Sequence, residues 1–353
     1  MNSIIVTVGP KSIKKEVLEK LIKAGAERFR INLSHTNFTT LKEYYSVLKS
    51  VNINPSIDTQ GAQLRITNLS KNLNINIGEK IELIFSNKSL GSSSSNAIFF
   101  NHAEAYNQIK VGDVMKVDFN GLSLRVIKDN NNQSLIGEVI SKGAVSLNRA
   151  VDISGKSLEL SVLTNFDKKA LEFALSSGSK EVFASFISTK EQVLAIRKII
   201  GNEVKLISKI ETSLGYSNVE EIISFSDEIL IDRGDLSREI SIATLPFVVS
   251  KIISLANKVN KPVNLATNVL DSMMKTSMPS RAEISDIYNN LSLGVSGIVL
   301  AAEVAIGNNP VSSTALLKYI IDLYMHHKRG IGGFETLQKP SRDLIGYELY
   351  NWL

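Results

Sequence analysis

An apolar stretch near the middle of the chain, LISKIETSLG at residues 206–215, ends in two residues of opposite charge. Lys209 and Glu211 are two positions apart, and in a β-strand such residues point to the same side of the sheet. A cation and an anion therefore leave one face together at the carboxyl end of a predicted strand. A strand-end Lys and Glu also occur as a solvated pair, so the interpretation depends on whether other strands repeat the pattern.

Other apolar stretches of the chain end in the same way. The polar, charged and turn-forming residues at their ends are Thr7, Gly9 and Pro10; Arg30, Asn32, Ser34 and His35; Asp58 and Thr59; Ser185; Asp232, Arg233 and Asp235; Thr267; and Glu303. If the strands lie parallel in one barrel, these residues converge on one rim, where barrel enzymes carry their chemistry. Convergence for stability alone is unfavourable, because like charges repel and desolvation is not recovered. The opposite strand ends, such as NPSI and GNEVKL, are predicted to be poorer in polar groups.

The residue types at this rim indicate phosphoryl transfer. Glu211 and Asp235 lie on adjacent predicted strands and suit one Mg²⁺ or Mn²⁺, which prefer oxygen ligands and often take only one or two protein carboxylates. Three cations, Arg30, Lys209 and Arg233, are predicted to face the same space. A divalent ion and cations together neutralise the charge that spreads over a moving phosphoryl group. The sequence has no P-loop and no kinase glycine-rich loop, which argues against the familiar nucleotide-binding folds.

Eight strand–helix units would position these residues. The predicted strands are SIIVTV, RFRINL, PSID, EVFASF, VKLISKI, EILID, PVNLAT and GIVLA. The predicted helices cover residues 14–25, 39–51, 167–178, 190–200, 216–225, 244–258, 280–292 and 310–327. Eight alternating units predict an α/β protein with a (β/α)₈ TIM barrel. A doubly wound sheet is the alternative, but the near-uniform units favour closure.

The pattern changes between the third and fourth units. Period-two runs such as NINIGEKIELIF and DVMKVDFNGLSLRVI replace helical stripes, which predicts an all-β domain inserted after the third strand. We therefore predict a discontinuous barrel of residues 1–61 and 143–330, a small β domain of residues 62–142, and a C-terminal tail of residues 331–353. Within the tail, SRDLIGYELYNWL is predicted to dock as a helix.

Composition sets limits on the chemistry and the compartment. The 353 residues include no cysteine, so disulfides, thiolate metal sites and cysteine nucleophiles are excluded. The net charge of +5 is spread along the chain and suits small anionic substrates as well as nucleic acid, without choosing between them. The phosphoryl-transfer chemistry of the rim predicts small-molecule substrates and no nucleic-acid partner. The N-terminus lacks a signal-peptide pattern, and no apolar run approaches the roughly 18 residues of a membrane span. We expect a cytoplasmic protein without a membrane segment.

Ordered motifs over about residues 3–330 resemble the pyruvate kinase family. They are IIVTVGPKS, RINLSH, DTQGAQLR, ISKIE, RGDL, ATNVLDSMM, PSRAEISD and AAEVAIGNNPV. The resemblance implies a glycolytic phosphotransferase that moves the phosphoryl group of phosphoenolpyruvate to ADP, giving pyruvate and ATP. It also implies that the inserted β domain closes over the mouth of the barrel.

The same resemblance implies roles for individual residues. Glu211 and Asp235 would hold the Mg²⁺ or Mn²⁺, Lys209 would stabilise the phosphoryl group in flight, and Thr267 would lie near the carbon that gains a proton. The backbone N–H groups of Gly234 and Asp235 would bind the substrate carboxylate. Residues on the phosphate and nucleotide side would be Arg30, His35, Arg65 and Lys142. Residues that match the family's potassium site are Asn32, Ser34, Asp58 and Thr59.

Several positions depart from the family pattern. Gln60, Ala62 and Gln63 replace a Lys, a Pro and a Glu, and the loss of that Glu argues against a K⁺ requirement. Asp232 replaces a small residue and would repel an anionic substrate if it faces the barrel mouth, by about 4 kcal/mol at ~4 Å and an effective dielectric constant of ~20. Replacements further along the chain are Asn268 and Val269 for a Gln and a Met, and Ala301, Ala302, Glu303 and Val304 for SGET. The family's usual C-terminal domain is expected to be missing, which predicts no effector regulation of the usual kind and a homodimer rather than a tetramer.

Three functional hypotheses remain open from the sequence. The first is an active, unregulated pyruvate kinase. The second is a related enzyme with a different enol phosphate or acceptor. The third is a non-catalytic paralogue that only binds a ligand. The presence of Lys209, Glu211 and Asp235 argues against the third hypothesis, whereas Asp232 and the lost hydroxyls argue for the second or the third.

Overall fold

The structure is a computed structural model that describes residues 3–71, 73–85, 96–118, 121–156, 158–330 and 337–353. The chain divides into two compact units. The first unit consists of Met1–Thr59 and Phe166–Leu353, and the second unit is Gln60–Asn165.

The chain begins with three strands and two helices that match the predicted pattern. They are β1 (Ser3–Val8), α1 (Lys15–Lys23), β2 (Arg28–Asn32), α2 (Phe38–Ser50) and β3 (Ser56–Asp58). Helix α1 is amphipathic and buries Leu18 and Leu21, as its apolar spacing predicts. Helix α2 begins where the Asn37 side chain accepts the N–H of Thr40, which satisfies one of the unpaired N–H groups at a helix start.

The second unit is an all-β domain, as predicted. Its strands are β4 (Ile66–Leu69), β5 (Lys80–Phe85), β6 (Ala97–Phe100), β7 (Val114–Val117), β8 (Ser123–Asn131), β9 (Ser134–Ser141) and β10 (Val151–Ile153). They form one sheet in the order β10-β7-β8-β9-β5-β6-β4, antiparallel except between β5 and β6. The N–H of Ile66 donates to the carbonyl of Arg149 at 3.0 Å, so the two edges of the sheet meet.

The second unit extends beyond the predicted segment of residues 62–142. It continues to Asn165 because β10 pairs with β7 in an antiparallel ladder. The residues that precede the next barrel helix therefore belong to the β domain rather than to the barrel.

The remaining chain supplies the other five barrel strands and most of the helices. They are α3 (Asn165–Ser176), β11 (Glu181–Ala184), α4 (Lys190–Ile200), β12 (Lys205–Ile210), α5 (Ser213–Ser217), α6 (Val219–Phe225), β13 (Glu228–Asp232), α7 (Arg233–Glu239), α8 (Leu245–Lys258), β14 (Val263–Ala266), α9 (Arg281–Leu293), β15 (Gly297–Leu300), α10 (Ala302–Ala305), α11 (Pro310–Lys328) and α12 (Arg342–Trp352).

The eight strands of the first unit close into a parallel barrel. The order around it is β1-β2-β3-β11-β12-β13-β14-β15, and β15 pairs with β1. The predicted (β/α)₈ TIM barrel with an inserted β domain is thereby confirmed, and the doubly wound sheet is excluded. None of the described helices has the length and apolar character that crossing a membrane requires.

Three details differ from the sequence pattern or fall outside the described residues. The predicted helix 216–225 is two short helices, α5 and α6, and α5 begins where the Thr212 side chain accepts the N–H of Gly215. Helix α7 starts directly at the end of β13, where the sequence pattern predicts no helix. Residues 331–336 of the predicted tail lie outside the described residues. The docked terminal helix is α12, whose Leu344 carbonyl accepts the Ser312 hydroxyl of α11 at 3.1 Å.

An apolar layer crosses the middle of the barrel. It consists of Ile5, Phe183, Ile207, Leu230, Ala266 and Val299. These side chains come from six strands, and strand alternation places residues two positions away on the same inner side. In β12, for example, Ile207 lies in the layer, Lys205 lies on its amino side and Lys209 on its carboxyl side.

The amino ends of the strands carry a second charged group, so the prediction that this side is poor in polar residues is wrong. Arg28 lies 2.9 Å from Glu181 and 2.9 Å from Glu228, and Lys205 lies 2.9 Å from Glu228. We call Arg28, Glu181, Lys205 and Glu228 the amino-end network. Two cations and two carboxylates balance there, which indicates a structural role.

Candidate active site

Lys209 is the centre of a buried polar group at the carboxyl ends of the strands. Its Nζ lies 2.9 Å from Glu211 Oε1 and 3.1 Å from Asp58 Oδ1. The residue is only 4% exposed, and Asp58 is fully buried. The charges that strands β12 and β3 contribute therefore interact with little solvent screening.

Arg30 adds a second cation to this group. Its Nη1 lies 3.0 Å from Asp58 Oδ2, so the two carboxylate oxygens of Asp58 each face a different cation. The guanidinium also donates to the Thr7 hydroxyl from Nε at 3.1 Å and from Nη2 at 2.8 Å. Arg30 lies over the Phe183 ring at 5.4 Å, and this packing fixes the direction of the guanidinium.

Ser185 and Thr59 complete the surroundings of Lys209. The Ser185 hydroxyl accepts a hydrogen bond from Lys209 Nζ at 3.0 Å and donates to the Thr59 carbonyl at 2.6 Å. The Ser185 N–H donates to the Thr59 hydroxyl at 3.0 Å. The sequence analysis places Ser185 at the rim but gives it no role. Its spacing could have indicated a role, because Ser185 directly follows β11 and lies two residues after Phe183, which faces the inside of the barrel.

Three carboxylates meet beside Lys209. One oxygen from each of Glu211, Asp232 and Asp235 lies within 4.8 Å of the other two. Glu211 Oε2 accepts the Phe186 N–H at 2.6 Å. Its buried Oε1 is paired with Lys209 but accepts no hydrogen bond within the described part of the chain.

The charges of the whole group do not balance without a further cation. Four carboxylates, those of Asp58, Glu211, Asp232 and Asp235, meet two cations, Arg30 and Lys209. With every side chain ionised, two negative charges are in excess. A hard divalent ion held by oxygen ligands matches both this excess and the donor atoms.

The pKa values of the group reflect this excess of negative charge. Burial raises the pKa of Glu211 to about 8; Lys209 opposes this rise, and Asp232, Asp235 and Asp58 add to it. Burial alone would lower the pKa of Lys209, but Asp58, Glu211 and Asp232 together raise that pKa above its ordinary value. Lys209 is therefore a permanent cation at neutral pH.

Thr267 and Gly234 lie next to the three carboxylates. The Thr267 hydroxyl donates a hydrogen bond to Asp232 Oδ1. Thr267 has φ +74°, which is strained for a β-branched residue and indicates a functional constraint on this turn. A Cβ on Gly234 would lie 2.9 Å from Thr267 Cγ2, so only glycine fits here without displacing the threonine.

Comparison with known proteins assigns the family. The family model described as "Pyruvate kinase, barrel domain" matches residues 1–314 of this chain. This chain belongs to the pyruvate kinase family.

Curated relatives of the chain carry the same family name. "Pyruvate kinase" of Naumovozyma castellii is 33% identical over 331 residues, which cover 89% of this chain and 65% of the relative. "Pyruvate kinase 1" of Saccharomyces cerevisiae is 32% identical over 327 residues, which cover 89% of this chain and 65% of the relative. "Pyruvate kinase" of Clostridium acetobutylicum is 32% identical over 329 residues, which cover 90% of this chain and 68% of the relative. The match thus spans about two thirds of the length of these relatives.

Arg233 does not face the buried group around Lys209, so its prediction as a third cation there is wrong. Its Nη1 lies 2.6 Å from Asp286 of α9. Its Nε and Nη2 donate to the carbonyl of Thr267 at 3.1 and 2.7 Å. Arg233 therefore holds the strained turn after β14 in place.

The Glu303 side chain also binds backbone groups rather than facing the buried group around Lys209. Its carboxylate accepts the N–H groups of Val269 and Leu270 at 3.2 Å each and of Ala301 at 2.9 Å. These bonds connect the loops that follow β14 and β15.

The other residues that the family resemblance singles out lie at different places in the chain. Asn32 and Ser34 form a turn after β2, where Asn32 Oδ1 accepts the Ser34 N–H at 2.8 Å, and His35 follows them as an exposed residue. Asp58 and Thr59 belong to the Lys209 group described above. Arg65 and Lys142 are in the second unit. Arg65 donates to the Asn148 carbonyl at 2.8 Å, and Lys142 is an exposed residue directly after β9.

Proposed function

We propose that this chain catalyses pyruvate kinase-type phosphoryl transfer from phosphoenolpyruvate to ADP, with Mg²⁺ or Mn²⁺ as cofactor. The observation that carries the proposal is the buried group in which Lys209 lies within 3.1 Å of two carboxylates, beside a trio of carboxylates with unbalanced charge. Burying unbalanced charges lowers the stability of the fold, so their presence together supports a functional role. The proposed task is to bind a divalent ion and a phosphoryl group.

The reaction breaks one P–O bond and forms another. A β-phosphate oxygen of ADP attacks phosphorus, and the bond between phosphorus and the enol oxygen of phosphoenolpyruvate breaks. The enolate then takes up a proton at its terminal carbon and becomes pyruvate. Negative charge on the phosphoryl oxygens and on the enol oxygen must be offset during transfer.

The cations of the chain are proposed to offset this charge. Lys209 is a permanent cation in a site with little solvent, where its field is strong, and it would contact the phosphoryl group during transfer. Arg30 would contact a phosphate from the neighbouring strand. Asp58 would hold both cations in place, because one of its oxygens faces Arg30 and the other faces Lys209.

Glu211 and Asp235 are proposed to hold the divalent ion, which supplies charge neutralisation at the phosphoryl and enol oxygens. The N–H groups of Gly234 and Asp235, in the first turn of α7, would bind the substrate carboxylate. Thr267, whose hydroxyl Asp232 orients, would lie near the carbon that gains a proton.

His35, Arg65 and Lys142 are proposed to contribute to nucleotide binding, in line with the resemblance. Asn32, Ser34, Asp58 and Thr59 would be the potassium ligands if K⁺ binds, but Gln63 replaces the Glu associated with potassium dependence. We therefore propose turnover without K⁺. A homodimer and a cytoplasmic location remain predictions.

A coupled assay of pyruvate release tests the proposal. The protein is given phosphoenolpyruvate, ADP and Mg²⁺, with and without K⁺, and we expect turnover in both conditions. Lys209→Arg keeps a charge but alters its position, so we expect kcat to fall about 100-fold or more, as for the loss of one preorganised electrostatic contact. Glu211→Gln should lower kcat similarly.

Lys205→Met is the matched control for the Lys209 variant. Lys205 lies on the same strand and the same inner side but belongs to the amino-end network, so its loss should leave kcat nearly unchanged. Circular dichroism melting checks that each variant is folded. A folded wild-type protein that releases no pyruvate contradicts the proposal, and saturable phosphoenolpyruvate binding without turnover would indicate a ligand-binding paralogue.

One observation favours a second candidate function. Asp232 is one of the three carboxylates that meet beside Lys209, and its charge would repel a highly anionic substrate. An enzyme of the same type that uses a different enol phosphate or a different phosphoryl acceptor would experience less repulsion. Turnover with other enol phosphates or nucleoside diphosphates that exceeds turnover with phosphoenolpyruvate and ADP would support this alternative.

A further inference from the structure

We infer that Asp232 is a third carboxylate ligand of the divalent-ion site, which rests on the function proposed above. Its carboxylate lies with those of Glu211 and Asp235, with ligand oxygens within 4.8 Å of one another. In an octahedral shell with metal–oxygen distances of about 2.1 Å, ligand oxygens lie roughly 3 to 4 Å apart. Small side-chain movements would therefore bring all three oxygens into one shell.

The two oxygens of Asp232 have different partners. Oδ1 accepts the hydrogen bond of the Thr267 hydroxyl. Oδ2 lies 3.8 Å from Lys209 Nζ, which is beyond hydrogen-bonding distance but within reach of charge attraction. Oδ1 is thus engaged by Thr267, and Oδ2, which faces Lys209, is the oxygen that can bind the ion without that hydrogen bond.

The negative charge of Asp232 affects how strongly the site attracts a divalent ion and an anionic substrate. With Asp232 and with every side chain ionised, the group has two excess negative charges, which one divalent ion would neutralise. The family resemblance places a small residue at this position, and there the same group with its ion would keep one positive charge. Asp232 therefore strengthens the attraction for the divalent ion and weakens the attraction for an anionic substrate.

Two substitutions separate this role from a purely structural one. Asp232→Asn keeps the shape and an oxygen that can accept the Thr267 hydroxyl, but it removes the charge. Thr267→Val keeps the charge of Asp232 and removes the hydrogen bond. A charge-based role and an orienting role therefore predict opposite results for the two variants.

Mn²⁺ titration of the full chain, followed by isothermal calorimetry or by the electron paramagnetic resonance of free Mn²⁺, tests the inference without an activity assay. We expect Asp232→Asn to weaken Mn²⁺ binding about tenfold or more, the size of effect seen when a partner of a metal site is lost. Asp232→Ala should weaken it at least as much and guards against a misplaced amide. Thr267→Val should leave the affinity within experimental error.

Asp227→Asn is the matched control for the change in charge. Asp227 directly precedes β13, whereas Asp232 ends it, so the two carboxylates flank one strand about 16 Å apart. At physiological salt this separation exceeds the screening length, and Mn²⁺ affinity should not change.

The results distinguish failure of the inference from failure of the proposed function. Wild-type affinity in both Asp232 variants, or an equal loss in Thr267→Val, overturns the inference while the divalent site remains. If the wild-type chain does not bind Mn²⁺, or if Glu211→Gln binds it with wild-type affinity, the proposed site itself is wrong and the inference falls with it. Cooperative thermal unfolding of each variant establishes that the comparison is between folded proteins.

Discussion

At the scale of single residues, position in the barrel determines what a side chain can do. Lys205 and Lys209 are four residues apart on the inner side of β12, separated by Ile207 of the apolar layer. Lys205 has a side chain that is 43% exposed and pairs with the amino-end network, whereas Lys209 is buried among excess carboxylates. The same residue type therefore has a structural role at one end of the strand and a proposed catalytic role at the other.

Gly234→Ala provides a steric prediction at this scale. The added Cβ would lie 2.9 Å from Thr267 Cγ2, so Thr267 must move away from Asp232. Because small displacements in an active site are costly, we expect kcat in the coupled pyruvate assay to fall by about tenfold or more.

The double variant Gly234→Ala with Thr267→Ser is its control. Serine keeps the hydroxyl and lacks Cγ2, so the clash disappears and most of the lost kcat should return. A double variant that is no more active than Gly234→Ala alone, although folded, would show that the steric account of Gly234 is wrong.

At the scale of elements, the sequence predicts strands and their inner faces well and predicts short helices poorly. The motifs at the carboxyl ends of β2, β12 and β13 place Arg30, Lys209, Glu211 and Asp235 on one rim, because period two and parallel closure require it. Helix α7 is missed because it has only seven residues and buries only Leu236, so it shows no apolar stripe of helical period. The direction of Arg233 is missed because Asp286 comes from a helix distant in sequence.

The same period-two alternation also predicts that the residues of the amino-end network face the inside of the barrel. Glu181, Lys205 and Glu228 each lie four residues before a rim residue, namely Ser185, Lys209 and Asp232, and so share their inner side. Considered alone, a charged residue at the start of a strand is typical of a strand end that is exposed to solvent. Only the closed barrel brings these charges together.

Glu228 gives a pH prediction for this network. Although burial opposes it, the charges and hydrogen bonds of Arg28, Lys205 and Asn264 lower the pKa of Glu228. A lowered folded-state pKa means that this stabilisation is present above the ordinary glutamate pKa and is lost as the pH falls through the folded value.

Urea unfolding of the wild type and of Glu228→Gln checks this prediction. The free energy of unfolding of the variant should be lower at pH 7, and the difference between the two proteins should shrink as the pH falls below about 4.5. A difference that stays constant between neutral and acidic pH would mean that the ionised form of Glu228 does not stabilise the barrel.

At the scale of the whole molecule, the chain consists of two units with separate cores. The second unit has its own buried cluster, in which Phe85 and Phe100 stack with ring centres 4.9 Å apart. The sequence predicts its start closely and its end poorly, because β10 has only three residues and carries little period-two signal. The ends of this unit meet, since the Thr164 hydroxyl donates to Gln60 Oε1 at 3.0 Å.

This arrangement predicts that residues 60–165 fold when expressed alone. A contiguous segment with adjacent ends and a complete core has what an independent domain needs. We expect a β-type circular dichroism spectrum and one cooperative thermal transition. The shorter fragment of residues 62–142 lacks β10 and is the control, which should be markedly less stable. Equal stability of the two fragments, or no transition in the longer one, would contradict the prediction.

One rim of the barrel is proposed to bring a divalent ion together with the cations that stabilise a phosphoryl group during its transfer. The most direct measurement is a crystal structure of the chain with Mn²⁺ and phosphoenolpyruvate, in which anomalous scattering locates the manganese. We predict an anomalous peak for a manganese ion bound to Glu211 and Asp235, with the phosphate of phosphoenolpyruvate in contact with Lys209. A manganese peak away from these carboxylates, or a phosphate bound elsewhere on the protein, would contradict it.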